Sequence, residues 1–261
     1  MGLLRRRRAP EGPLAALAES ALWMYEWDLG GGVRTRPMGP ELQAVHDARA
    51  AIAEPVVRSA LGKAGPQASA LDLACSEGWF AHRLLEWGAH RAHGIDVRPE
   101  NVHRAELLRD HLGARRLTFE VADVFDLGGR EPADVVLCLG LVYHLEDPVG
   151  ALRIARALTR GVCVVESQLT EPHEPLRHGW GTTGEYLDQE AAWAAWYEPA
   201  ELQAGHPIAS FGGVVSMIPN GAALKQAMSA AGFSRVEAPL VPTHVNAQYT
   251  QGHRLVLAGW P

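Results

Sequence analysis

Acidic and small residues stand at the ends of four apolar runs, where side chains and exposed backbone can bind a nucleotide-like ligand. The first run ends in LDLACSEGWF, residues 71–80. In this stretch Gly78 lets backbone approach a ligand closely, and the helix expected after it offers free N–H groups. Ala74 and Ser76 occupy positions where a dinucleotide-binding loop usually has glycines, which favours a ligand without a pyrophosphate group. The candidate cofactor-contacting residues here are Asp72, Ala74, Cys75, Ser76 and Gly78.

Three further run ends carry residues suited to the same ligand. Asp96 lies about 20 residues beyond the first loop, where an acid can accept hydrogen bonds from ribose hydroxyls. Asp123, with an apolar shelf at Val124, suits an adenine amino group and ring, and Gly140 permits close approach. Each acid alone is also typical of a helix cap or turn, but their order along the chain favours one cofactor site. The candidates that complete these ends are Val97 and Leu139.

The elements that must position these residues alternate between strand and helix. We predict strands at 69–75, 91–97, 117–124, 133–144 and 161–169. Between them, apolar residues at helical spacing predict helices at 78–88, 99–113 and 147–159. A helix at 220–233 and strands near 234–240 and 252–258 follow. The alternation predicts an α/β fold with a doubly wound, mostly parallel, seven-stranded sheet, which brings the polar strand ends to one edge.

The chain divides into three predicted parts. Residues 1–20 are expected to be loosely ordered, and residues 21–64 form a lead-in that includes a helix at 40–63. Residues 65–261 form the main domain. Within it, residues 170–218 break the alternation and are rich in histidine, tryptophan and proline. We interpret that insertion, which precedes the last helix and strands, as a lid or binding loop.

Composition narrows the classes of function. The formal net charge of −6 offers no positive field for nucleic acid, although the run 5–8 of arginines is either a solvated terminus or a phosphate-contacting arm. Cys75, Cys138 and Cys163 stand in apolar runs without a C-x-x-C pair, which indicates reduced buried thiols and a cytoplasmic protein. No apolar run approaches the ~20 residues of a membrane span. Prolines and glutamates interrupt the start, so no signal peptide is expected.

These residues carry a resemblance to a known family. LDLACSEGWF, Asp96 and Asp123 resemble the first motif, the ribose acid and the adenine-side acid of class I S-adenosylmethionine-dependent methyltransferases. The resemblance covers roughly residues 65–170 and, more loosely, the final helix and strands. It implies a Rossmann-like fold, S-adenosyl-L-methionine as the cofactor and an enzyme that transfers methyl groups.

Three segments narrow the resemblance to the tRNA wobble-uridine methyltransferase-like group, which includes small-molecule and sugar methyltransferases. They are YEWDLGGGVRTRP, LCLGLVYHLEDPVGAL and MIPNGAALKQAMSAAGF. The chain departs from the pattern at Ala74 and Ser76, which replace common glycines, and at Trp27, where a lead-in histidine is usual. Arg36 also precedes a proline without the following glycine pair. The resemblance therefore leaves the acceptor open.

Methyl transfer is an in-line displacement at a sulfonium carbon, so much of its catalysis is alignment of donor and acceptor. An oxygen or nitrogen acceptor can also need a base, for which histidine is suited. His144 is the candidate base or acceptor-orienting residue, and the alternative is that it only caps a turn. Tyr143 is a candidate contact for the methionine end or sulfonium region of the donor, and the alternative is ordinary core packing.

The acceptor is expected to contact the lead-in and the lid, where aromatic and polar residues suit a small organic molecule. The candidates are Trp27, Arg36, His173, His178, Trp180 and Tyr186. We predict no metal, since the histidines, which include His206 and His244, lack tight ligand spacing.

Several alternatives remain beside a small-molecule O- or N-methyltransferase. One is a tRNA wobble-uridine modifying transferase, with or without a carboxylated donor, and a carboxylated donor would need a cationic partner near the methyl position. The acidic net charge argues against it. The others are a non-catalytic S-adenosylmethionine-binding partner subunit and a dinucleotide oxidoreductase. The oxidoreductase fits less well because the loop lacks a second phosphate-binding glycine. We expect no nucleic-acid or membrane partner, and the sequence leaves a monomer and a homodimer as alternatives.

Overall fold

The computed structural model describes residues 8–170, 190–203 and 209–261. The chain first forms two helices and two small two-stranded sheets. These elements are α1 (Gly12–Ser20), β1 (Leu22–Trp23), β2 (Asp28–Gly30), β3 (Val33–Arg34), β4 (Arg36–Pro37) and α2 (Pro40–Ala64). Strand β1 pairs with β4 in parallel, and β2 pairs with β3 antiparallel across a glycine turn.

Strands and helices then alternate as predicted. The elements are β5 (Ser69–Leu73), α3 (Trp79–Glu86), β6 (Arg91–Asp96), α4 (Pro99–Leu112), β7 (Leu117–Val121), β8 (Ala133–Leu139), α5 (Pro148–Ala157) and β9 (Thr159–Gln168). Short 3₁₀ turns at Val124–Asp126 and Val142–His144 follow β7 and β8.

The last part contains β10 (Trp193–Tyr197), α6 (Ala200–Gln203), β11 (Val215–Pro219), α7 (Gly221–Ala230), β12 (Arg235–Glu237), α8 (Ala247–Thr250) and β13 (Arg254–Trp260). The main sheet has seven strands in the order β12-β13-β9-β8-β5-β6-β7. Strand β13 runs antiparallel to both of its neighbours, and the other pairs are parallel. The predicted doubly wound, mostly parallel, Rossmann-like sheet is confirmed.

Helices cover both faces of this sheet because its inner strands are apolar on both sides. In β8, Val135 and Leu137 pack into the core cluster beside α2 and α3, whereas Val136 and Cys138 pack into the cluster beside α5 and α7. Successive side chains of a strand point to opposite faces, so one apolar run supplies two cores. Among the described helices, none combines the length and the apolarity that crossing a bilayer requires.

Two expectations about element boundaries differ from the structure. The start was expected to be loosely ordered, but α1 forms over its second half, since Pro13 stands in the first turn and Leu14 and Ala18 are buried one turn apart. The predicted strand 133–144 ends at Leu139, because Gly140 has a left-handed backbone with φ of 79°.

The insertion expected at 170–218 is described only at 170, 190–203 and 209–218. Its described residues include a strand pair that the sequence pattern did not predict, because β10 and β11 pair antiparallel from Trp193–Pro219 to Tyr197–Val215. Trp196 and Tyr197 are exposed, so β10 lacks the alternation of a half-buried strand that would have indicated it.

Candidate functional site

A cavity of about 650 Å³ opens at the carboxyl ends of the parallel strands, where open α/β sheets bind ligands. The structure brings ten of the predicted site residues together around it. They are Ala74, Ser76, Asp96, Val97, Asp123, Val124, Leu139, Gly140, Tyr143 and His144.

The loop after β5 has the backbone of a glycine loop without its glycines. Ala74 and Ser76 have φ of 57° and 48°, and they are the sole residues other than glycine with positive φ in the described part of the chain. The left-handed region disfavours residues with a Cβ atom, so the loop carries strain where backbone must curve around the cavity. The loop is fixed by hydrogen bonds, since Cys75 N donates to Ile95 O at 2.9 Å and Gly78 N to Cys75 O at 2.8 Å.

Gly78 lies beneath the cavity and permits the turn into α3. Its φ is 80°, and a Cβ atom added there would lie 2.5 Å from Cζ of Phe119. Cys75 is also buried outside the cavity lining, and burial raises the pKa of its thiol well above the usual value. Its role in the loop is therefore one of filling space.

Asp96 ties the loop to the end of β6. Its carboxylate accepts hydrogen bonds from Ser76 N at 2.8 Å, Arg98 N at 2.9 Å and Asn101 Nδ2 at 3.1 Å. Burial raises the pKa of this carboxyl, and the hydrogen bonds oppose that shift because they favour the charged form. The carboxylate lines the cavity in a fixed orientation, with acceptor capacity left for a ligand hydroxyl.

Asp72 stands behind the loop rather than at the cavity. It is 2% exposed, and its Oδ2 has no hydrogen-bond partner within the described residues. Burial, and next the nearby charge of Asp96, raise the pKa of Asp72 to about 8. At neutral pH this carboxyl is therefore mostly protonated, and it adds little negative charge beneath the cavity.

The ends of β7 and β8 supply the remaining predicted contacts. Asp123 is exposed and accepts a hydrogen bond from Phe125 N at 3.0 Å, so part of its role is to cap the turn that carries Val124. At Gly140 a Cβ atom would lie 3.3 Å from a guanidinium nitrogen of Arg49, which explains why a residue without a side chain suits this position.

His144 and Tyr143 form one edge of the cavity. Nδ1 of His144 lies 3.4 Å from Oγ of Ser210, which is itself 2.7 Å from Oγ of Ser216. Burial lowers the pKa of His144 to about 4, although the charge of Glu198 opposes the shift. The imidazole is thus neutral at neutral pH. Oη of Tyr143 accepts a hydrogen bond from Arg254 at 3.3 Å.

A buried charge cluster, which the sequence analysis missed, forms another wall. Glu166 in β9 is fully buried between two arginines, with Arg49 Nη2 and Arg254 Nη1 each 3.0 Å from a carboxylate oxygen. Oη of Tyr249 also donates to Glu166 at 3.0 Å. Both arginines line the cavity. An acid inside the apolar run VCVVESQ was the available signal, because charged residues are almost never fully buried unless paired.

Among the predicted acceptor residues that the structure describes, Trp27 and Arg36 do not line the cavity. Trp27 is 7% exposed and packs edge-on against His82, and Arg36 is exposed on β4. Trp27 thus lies against α3, and Arg36 lies on the strand that pairs with β1. Met24, Tyr25, Leu42 and His46 of the lead-in line the cavity instead. His173, His178, Trp180 and Tyr186 lie outside the described residues, as does His206. In the described ranges no cluster of His, Cys, Asp or Glu could hold a metal ion.

The comparisons with known proteins agree with this geometry. A family described as a methyltransferase domain matches residues 65–203. A tRNA U34 carboxymethyltransferase of Aliarcobacter butzleri is 29% identical over 108 residues, which are 40% of this chain and 35% of that protein. A ubiquinone biosynthesis O-methyltransferase of Neisseria meningitidis serogroup A is 29% identical over 92 residues, covering 34% and 39%. The matched region thus spans between a third and two fifths of these relatives' length.

Solved structures show the same fold. The N-terminal domain of EvdMO1, crystallised in the presence of SAH and D-fucose, has a TM-score of 0.63 and 21% identity, with 91% of each chain covered. Magnesium protoporphyrin IX methyltransferase from Synechocystis PCC 6803, with bound SAM, has a TM-score of 0.52 and 14% identity, with 85% of this chain and 84% of that chain covered.

Proposed function

This chain belongs to the methyltransferase-domain family, and from that premise we propose that it transfers a methyl group from S-adenosylmethionine to a small organic acceptor. The family membership confirms the sequence-based prediction of an S-adenosylmethionine-dependent methyltransferase. The proposal concerns the acceptor, the atom that is methylated and the roles of individual residues.

One observation carries the proposal: acids and small residues from four strand ends meet at a single cavity. When bound, S-adenosylmethionine supplies a methyl group activated by its positive sulfur. The residues fit this cofactor, because Asp96 can accept hydrogen bonds from ribose hydroxyls and Val97 and Val124 offer apolar surface to the adenine. Asp123 is suited to the adenine amino group, and Ala74, Ser76, Leu139 and Gly140 present close backbone. Asp72 and Gly78 support the loop from behind.

We assign His144 to the acceptor. The imidazole is neutral and lines the cavity, and the Ser210 contact orients its ring. Because the ring is neutral, its free nitrogen can accept a hydrogen bond or a proton from the acceptor, and with a pKa lowered to about 4 it suits a phenol better than an alcohol, whose proton is less acidic. Tyr143 stands beside it, with its ring 4.4 Å away, and we place it at the reacting end of the donor.

A small acceptor fits the remaining cavity wall, which combines apolar side chains such as Met24, Leu42 and Leu145 with a few polar groups. We keep the lid residues His173, His178, Trp180 and Tyr186 as proposed acceptor contacts. The three-part division at residues 20 and 64, a cytoplasmic location and a homodimer remain predictions.

Calorimetric titration with S-adenosylmethionine, S-adenosylhomocysteine and NAD tests the cofactor site. We expect both adenosyl compounds to bind and NAD not to bind, and failure of both adenosyl compounds would overturn the proposal. Asp96→Ala should weaken their binding, whereas unchanged affinity would exclude the ribose role.

The role of His144 is tested by turnover. A panel of phenols and hydroxylated acids is screened for S-adenosylhomocysteine formation. With an acceptor that reacts, His144→Ala should lower kcat by about 10²- to 10⁴-fold while donor affinity is retained. Loss of donor affinity in this variant would make His144 a structural residue.

A second candidate function is transfer from a carboxylated donor, and the contact between Arg254 and Tyr143 favours it. A carboxylated donor needs a cation near its transferred group, and Arg254 donates to the Tyr143 hydroxyl at the cavity edge. Some of the relatives matched over part of this chain are named tRNA U34 carboxymethyltransferases. Titration with carboxy-S-adenosylmethionine beside S-adenosylmethionine separates the two, because the second candidate requires the carboxylated compound to bind more tightly.

A further inference from the structure

Helix α2 places two polar side chains side by side at the cavity. His46 and Arg49 are three residues apart, a spacing that puts both on one face of a helix. Both are buried, at 3% and 4% exposure, and both line the cavity. Neither was a candidate in the sequence analysis, and neither has a role in the assignments above.

His46 has polar capacity that the protein does not use. Neither ring nitrogen makes a hydrogen bond of normal geometry within the described residues, although the backbone of Met24 lies close to the ring. The ring centroid lies 4.4 Å from that of Tyr25. Burial, then the charges of Arg49 and Arg254, lower the pKa of His46 to about 2, so the ring is neutral and has a lone pair to offer. A buried polar group without a partner calls for an explanation, and a ligand in the cavity supplies one.

Arg49 has positive charge that the protein does not fully balance. It shares the single carboxylate of Glu166 with Arg254, and Asp72 is mostly protonated at neutral pH. The Arg49–Glu166 contact lacks hydrogen-bond alignment, so within the described residues the guanidinium makes one hydrogen bond, a long one of 3.4 Å to Oη of Tyr249. Its remaining donors are available to an anion beside Gly140.

His46 can accept a hydrogen bond from an ammonium group, and Arg49 can donate to a carboxylate. An α-amino acid carries both of these charged groups on one carbon. We propose that His46 and Arg49 bind the amino-acid end of the donor, with Arg49 donating to its carboxylate and His46 accepting from its ammonium group. This inference rests on the proposed function, and it orients the donor with its adenosine toward Asp96 and Asp123 and its amino-acid end toward α2.

The test removes one group at a time from the ligand and from the protein. Four compounds are titrated: S-adenosylhomocysteine, its deamino analogue, its decarboxylated analogue and 5′-methylthioadenosine, which lacks the whole amino-acid end. For the wild-type protein we expect loss of either charged group to weaken binding by about 10- to 100-fold, since each hydrogen bond involves a charged group.

Two variants assign the groups. In His46→Leu, removal of the ligand amino group should no longer weaken binding, whereas removal of the carboxylate should. In Arg49→Lys, the loss on removing the carboxylate should shrink, whereas the loss on removing the amino group should persist. His103→Leu, at an exposed histidine on α4 outside the cavity, is the control and should match the wild type.

The results distinguish a failure of the amino-acid site from a failure of the proposed function. If the wild-type protein binds neither S-adenosylhomocysteine nor 5′-methylthioadenosine, the proposed function fails. If both bind with equal affinity, or if His46→Leu loses as much as the wild type when the amino group is removed, the amino-acid site is refuted while the donor assignment stands. The His46→Leu arm removes an unpartnered group without breaking the buried ion pair, so the test does not depend on the folding of an Arg49 variant.

Discussion

Substitution of Gly78 by alanine combines two separable penalties. The residue has φ of 80°, and a left-handed backbone costs about 1–2 kcal/mol for a residue with a Cβ atom. The new Cβ would also lie 2.5 Å from Cζ and 2.7 Å from Cε1 of Phe119. The same ring edge lies against Gly94, so the ring fills space left by two glycines. Overpacking of this kind costs about 1–3 kcal/mol, and we expect Gly78→Ala to destabilise the protein by about 2–5 kcal/mol in total.

Gly113→Ala is the matched control. Gly113 ends α4 with φ of 67°, and a Cβ added there meets nothing within 4 Å. It should therefore show the backbone penalty alone, about 1–2 kcal/mol. Urea denaturation followed by circular dichroism measures both variants, and an unchanged m-value licenses the comparison. When Phe119 is replaced by leucine, the ring that meets the new Cβ atom is gone. The stability that Gly78→Ala loses beyond Gly113→Ala should then shrink, and a double-mutant cycle measures this change.

The clash explanation is refuted if Gly78→Ala loses no more stability than Gly113→Ala. It is also refuted if the Phe119→Leu background leaves the difference unchanged. Calorimetry with S-adenosylhomocysteine adds a functional readout. Movement of the loop around residue 78 should weaken the binding of this compound in Gly78→Ala but not in Gly113→Ala.

Three further predictions concern the same site. Ser76→Gly should raise the free energy of unfolding by up to about 1 kcal/mol, because the left-handed backbone strains serine but not glycine, and this gain exceeds the loss from a more flexible unfolded chain. A fall in thermal stability would contradict this prediction. Glu166→Gln should lower the free energy of unfolding by about 3–5 kcal/mol in chemical denaturation, because Arg49 and Arg254 lose their buried carboxylate, and a loss below 1 kcal/mol would argue against that pairing. The free energy of unfolding should fall as the pH drops from 6.5 toward 4, because the unfolded chain binds a proton at His144 that the folded protein, in which this residue has a pKa of about 4, does not bind. Urea titrations at several pH values should show that the free energy of unfolding depends less steeply on pH in His144→Gln, and an equal dependence would assign the effect to other groups.

The sequence predicted the central sheet well because its signal is local and repeated. Runs such as ADVVLCL are almost continuously apolar, which predicts strands that are buried on both faces of a sheet. The helices that follow show apolar residues at helical spacing. Parallel strands bring their carboxyl ends to one edge, so Asp96, Asp123 and Gly140 meet at one cavity without any long-range information.

The lead-in contacts were harder to predict because they depend on how the chain folds back. Trp27 and Arg36 have the chemistry of acceptor contacts, yet Trp27 packs against His82 of α3, Arg36 lies on β4 beside β1, and neither lines the cavity. His46 and Arg49 look like ordinary residues of a mixed helix, since the apolar face of α2 is weakly marked in its sequence. Their burial follows from the position of α2 against β8, β9 and β13, which no local pattern reports.

The charge cluster also fixes when the cavity becomes complete during synthesis. Arg49 meets Tyr249 across 200 positions of the chain, and Arg254 reaches Glu166 across 88. Strand β13 inserts antiparallel between β12 and β9, so it joins the sheet only after all the other strands of the sheet have been synthesised. Until then Glu166 and Arg49 lack Arg254 and Tyr249, and one edge of β9 is unpaired. A nascent chain released before β13 would expose that edge to pairing with other chains, so completion of the site and protection against aggregation are the same late event.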